Sequence, residues 1–85
     1  MKIADVIRSQ AGHDKGKVFM VLCAEGEYVT LADGRSRRVE KPKRKKRMHT
    51  QKIASHEGTT ADKLHRGEPV SNKELWEALR LYREG

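Results

Sequence analysis

The chain has 85 residues, a formal net charge of +7, 36% charged and 5% aromatic residues, and one cysteine. A unit of this size hides only roughly 60% of the surface that its unfolded chain exposes, which leaves room for one modest core. Cys23 alone forms neither an internal disulfide nor a zinc knuckle, Met1 to Gln10 lack the apolar run of a signal peptide, and no window reaches membrane-span length. The expectation is a cytoplasmic protein that makes no use of a membrane and whose cationic field draws in polyanions, RNA first among them.

In chain order, Asp5-Val6-Ile7-Arg8 within Ala4 to Gln10 reads as a first strand, ended by the loop Ala11-Gly12-His13-Asp14-Lys15-Gly16. Lys17 to Cys23, rich in branched and aromatic side chains and bounded by glycine, reads as a central strand. Cys23 then reads as a small core residue. Glu25-Gly26 turns the chain into Glu27 to Asp33, where alternation puts Val29 and Leu31 on one face and Tyr28 and Thr30 on the other. Asp33-Gly34 signals a reversal, Arg37 to Glu40 a short strand stopped by Pro42, and Met48 to Ile53 a last strand. Four or five strands of about six residues with tight turns fit a small antiparallel barrel or sandwich over residues 1–53.

Residues 54–70 are rich in His, Gly, Thr, Asp, Lys and Pro without apolar periodicity, and read as a mobile linker. Ser71-Asn72-Lys73-Glu74 matches a capping box and opens an amphipathic helix over residues 71–83. Its apolar stripe is Leu75, Trp76, Ala78, Leu79 and Tyr82. Two roles are open to Leu75, Trp76, Leu79 and Tyr82: packing back on the strands, or docking on another protein. An exposed Trp-Leu stripe is costly, which favours the first.

The segment Ala11 to Val18 between two strands resembles the KOW motif of ribosomal and transcription-elongation proteins. Three further features strengthen the likeness: the pair Gly12 and Gly16, the phrase Tyr28-Val29-Thr30-Leu31-Ala32-Asp33-Gly34-Arg35, and the basic Lys41-Pro42-Lys43-Arg44-Lys45-Lys46 behind it. From about Val6 to Lys52 the chain is similar to the KOW region of large-subunit ribosomal proteins fourteen and twenty-seven of eukaryotes and archaea, and to the short bacterial KOW proteins related to them. The ribosomal proteins continue differently after the basic run, so the likeness to them does not extend to the terminal helix. The resemblance implies a mostly β, SH3-like five-stranded barrel that binds ribosomal RNA through loops and basic extensions. From the residues themselves, no catalysis is expected.

Independently of any family, Arg35 to Lys52 hold ten basic residues against the single acid Glu40, an excess of nine within a chain of +7, which leaves the remaining residues at −2. The ten are Arg35, Arg37, Arg38, Lys41, Lys43, Arg44, Lys45, Lys46, Arg47 and Lys52. Like charges this close repel, and an anionic partner relieves the repulsion. Together with Gly12, His13, Lys15, Gly16 and Lys17 of the loop, and His49, they form the expected RNA-contacting set. Phosphate contacts of this kind position an RNA and do not read its sequence, so structured RNA, ribosomal RNA foremost, is the expected partner. A protein-interaction module of the transcription or translation machinery is the alternative.

Other chemistries find no support. A nucleotide-binding loop needs four residues between its glycines and a Ser or Thr after the lysine, whereas Gly12 and Gly16 enclose three and Val18 follows Lys17. His13, His49, His56 and His65 match no zinc spacing, and no nucleophile, base and orienting group assemble. No cofactor, metal or small-molecule substrate is expected. Lys43 to Arg47 also resemble a nuclear address, but their place beside a strand favours a binding surface.

Overall fold

The structure, a computed structural model, describes residues 1–84. Five strands form one antiparallel sheet: β1 (Asp5–Ser9), β2 (Val18–Glu25), β3 (Tyr28–Ala32), β4 (Lys43–Lys46) and β5 (Thr50–Ser55). Their order is β4-β3-β2-β1-β5, and a short 3-10 turn, Arg47–His49, links the two edge strands in sequence. Three helices follow: α1 (Thr59–His65), α2 (Asn72–Ala78) and α3 (Arg80–Glu84). No helix among the described residues is long and apolar enough to cross a membrane.

The apolar run of β2 arises because the strand is buried on both faces. Val18 and Met20 join Val6, Ala32, Val70, Leu75 and Leu79 beneath the helices, while Phe19 and Val21 join Ile7, Val29 and Leu31 on the opposite face. Bulges at Val6/Ile7 and Val21/Cys23 interrupt the register. Bulges raise the local twist, which helps five short strands enclose a core. The radius of gyration is 11.3 Å, against about 12 Å for a compact chain of this length.

Several expectations meet a different structure. The sheet is open, not a closed barrel, because its edges β4 and β5 are not paired with each other among the described residues; lysine and arginine on an edge oppose further strand pairing. No strand covers Arg37 to Glu40. Instead the Asp33 carboxylate accepts from the amides of Arg35 (2.9 Å) and Arg37 (2.8 Å) and from the Ser36 hydroxyl (2.6 Å), closing a local turn. The fourth strand begins after Pro42, inside the basic run itself.

Residues 54–70, expected as a linker, contain the end of β5 and the whole of α1. Ala61 is buried, Leu64 packs on the helix-side core, and Lys63 pairs with Glu74 of α2 at 3.1 Å. Ser71 caps α2 by accepting from the Glu74 amide at 3.1 Å, as the capping box predicts, but the Glu74 carboxylate turns to Lys63 instead of closing the box. The single helix expected over residues 71–83 is interrupted at Leu79.

Candidate nucleic-acid interface

The loop between β1 and β2 folds back on its own strands. Ser9 N donates to the Lys17 carbonyl and Gly16 N to the Ser9 carbonyl, and Gly12 and Gly16 both take left-handed backbone angles (φ 84° and 88°) to allow the path. At its centre the Asp14 side chain turns inward, to 5% exposure. Its Oδ1 accepts from Ser9 Oγ and from Lys45 Nζ, both at 2.8 Å, and Lys43 Nζ lies 3.4 Å from Oδ2. Burial alone would raise the Asp14 carboxyl; the hydrogen bonds from Lys45 and Ser9 and the charges of Lys45 and Lys43 outweigh it and hold it at about 2. Lys45 Nζ also donates to the Ala11 carbonyl at 2.8 Å.

This arrangement divides the basic run by the pleat of β4. Register sets Lys45 opposite Val29 and Lys43 opposite Leu31, on the core side, and Lys46 opposite Tyr28 and Arg44 opposite Thr30, on the outer side. Lys45, expected among the RNA contacts, is 8% exposed and serves as an internal anchor of the loop. A strand that places alternate residues on opposite faces cannot present all four of its cations to one ligand.

Three other members of the set are also ion-paired: Lys43 with Asp14, Lys52 with the buried Asp5 at 3.5 Å, and Arg38 with Glu40 at 3.0 Å. The Asp5 carboxyl would be raised by its burial, but the Lys2 amide, the Ser55 hydroxyl and Lys52 hold it below its ordinary value. The six remaining cations of the run, Arg35, Arg37, Lys41, Arg44, Lys46 and Arg47, form no ion pair among the described residues. Arg44 lies over the Tyr28 ring at 3.9 Å, and Arg47 donates to the Gly26 carbonyl at 3.1 Å. In the loop His13, Lys15 and Lys17 are exposed, and His49 is half-buried in the 3-10 turn.

The β3–β4 connection is fastened to α2. Asn72 Oδ1 accepts from the Val39 amide at 2.8 Å, and Asn72 Nδ2 donates to Glu40. A Cβ added to Gly34 (φ 84°) would stand 2.1 Å from the Asn72 carbonyl oxygen, so only glycine permits this approach. Arg35 lies over Trp76, 4.2 Å from the ring centroid.

Of the terminal stripe, Leu75 and Leu79 are fully buried in the core, and Tyr82 packs against it with its hydroxyl 3.2 Å from His56 Nδ1. Leu75 and Leu79 therefore fill the packing role and offer nothing to a docking partner. Trp76 is half-buried, and besides Arg35 it carries Arg83, whose guanidinium sits 3.4 Å from the indole centroid. Sequence reasoning missed Asp14 as an anchor and Arg8 and Arg83 as neighbours of the basic loop. The only signal for the first was a lone acid in a basic loop, and nothing in the sequence brings position 83 to position 35.

No protein-family model and no curated protein matches the chain.

Proposed function

We propose that this chain is a KOW-type, SH3-like RNA-binding module, ribosomal-protein-like or ribosome-associated, that holds structured RNA by phosphate contacts. The observation that carries this reading is the division of labour in β4. Its inward lysines bind the glycine loop to the sheet through Asp14, and its outward Arg44 and Lys46 continue into a row of unpaired cations. The loop and the basic strand thereby form one surface held in place by a buried ion pair, not a solvated run of charge. A cationic surface on a held loop and strand suits an RNA of defined shape, because little loop ordering remains to be lost on binding.

The strand order with a 3-10 turn between the edge strands supports the SH3-like assignment. The role is tested by sedimentation with ribosomal large subunits: association is expected at low salt and release at high salt. Association that withstands both salt and ribonuclease would instead point to a protein partner.

A further inference from the structure

An open cleft of about 390 Å³ lies beside the surface just described, where the ends of the β1–β2 loop and the β3–β4 connection meet the terminal helices. Val18 and the indole of Trp76 supply apolar lining, and Arg8, Lys17, Arg35 and Arg83 surround it. None of these four cations forms an ion pair among the described residues. Asp33 also borders the cleft, but both its oxygens are engaged by the turn it closes. Arg8 is held by the Gly16 carbonyl at 3.1 Å and Arg83 by the Trp76 carbonyl at 2.8 Å, so two of the cations are positioned in advance.

Four positive charges, two of them held in place, around an indole that already carries the Arg35 and Arg83 guanidiniums match a ligand that brings an anion and a further π-face together. A planar guanidinium resting on an indole prolongs the stack, and splayed bases stack on aromatic rings and on arginine planes. A duplex offers its phosphates, sugars and groove edges to such a cleft but no free base face, since its bases are stacked on one another. We infer that the cleft takes a single unpaired nucleotide of the bound RNA, with its base joining the Trp76–Arg35 stack and its phosphate met by Arg8, Lys17 and Arg83. This rests on the RNA-binding reading and adds recognition of a bulge or loop to the phosphate contacts of the outer strand.

Trp76 is the only tryptophan, so its fluorescence reports on this site alone. Two RNA hairpins are compared, identical but for one bulged adenosine in the stem, each titrated by anisotropy and by Trp76 emission. The bulged hairpin is expected to bind about tenfold more tightly, the size of one base–aromatic stack, and to change the emission, while the paired hairpin binds with little change. Arg35→Lys retains charge but loses the plane, and is expected to bring the ratio of the two affinities toward one; Trp76→Leu is expected to do the same.

Arg35 is exposed, so its variant decides the matter even if the Trp76 variant does not fold. Equal affinity and equal emission for the two hairpins would overturn the inference and leave the RNA-binding reading standing. Binding of neither hairpin would overturn both. Saturation by free adenosine monophosphate at micromolar concentration, without competition from the bulged hairpin, would assign the cleft to a free nucleotide and overturn the RNA occupant.

Discussion

Lys45 and Lys46 are neighbours in one strand, with the same charge and stem, yet the pleat sends one to a buried carboxylate and the other to solvent. Lys45→Gln leaves Asp14 buried beside Ser9 with only the more distant Lys43 as a cation, and is expected to cost about 2 to 3 kcal/mol in urea unfolding. Lys46→Gln is expected to stay within about 0.5 kcal/mol of the parent. The same carboxylate sets a pH dependence. Because Asp14 is held at about 2 in the fold against an ordinary 3.8, its contribution is complete above 3.8 and is lost as the pH falls from there through about 2. The loss from this one group is about 2 kcal/mol. It is measured as the fall in urea midpoint between pH 5 and pH 2 in the parent, and should be smaller in Asp14→Asn.

Among the elements, the β3–β4 connection is the one whose nature the sequence concealed. Asp33-Gly34 was legible as a reversal, but Arg37 to Glu40 looked like a strand because alternation in four residues is weak information. The competing force is local: the Asp33 carboxylate captures the amides of Arg35 and Arg37 before a partner strand can. Gly34→Ala tests the docking of this loop. Its methyl would collide with the Asn72 carbonyl at a left-handed backbone angle, so a loss of at least about 2 kcal/mol in thermal or urea unfolding is expected, with altered Trp76 emission as Arg35 shifts. By contrast, β1, β2 and β3 and the Ser71 cap were readable directly, because alternation, continuous apolar runs and cap chemistry are encoded within a few residues. Helix α1 was not. Its seven residues, Thr-Thr-Ala-Asp-Lys-Leu-His, carry too few apolar positions to show a period, and what places it is tertiary: Leu64 on the core and Lys63 on Glu74.

At the scale of the whole molecule, an open sheet of short strands is made stable by what covers it. Leu75 and Leu79 complete the core on the helix side, so Leu79→Ala is expected to cost about 3 kcal/mol as a large-to-small core change, read in denaturant unfolding. The helices also bring Arg83 and Trp76 to the edge of the cationic surface, so that residues from both ends of the chain line one cleft. Charge was the most legible property, since an excess of nine within Arg35 to Lys52 needs no structure to be seen. Which of those cations face outward was not legible, because that depends on register and on Asp14, a single acid among many bases.

We expect the outward cations, and not the run as a whole, to hold RNA. This is tested most directly by the dependence of affinity for a structured RNA on salt, in the parent and in the triple variant Arg44→Gln, Lys46→Gln, Arg47→Gln. With about six phosphates neutralised, log K against log salt should fall with a slope of about −5 for a duplex, or about −4 for a single strand, and the variant's duplex slope should be shallower by roughly 2 to 3. An affinity and slope unchanged by the three substitutions, in a variant that remains folded, would show that these outward cations do not hold RNA.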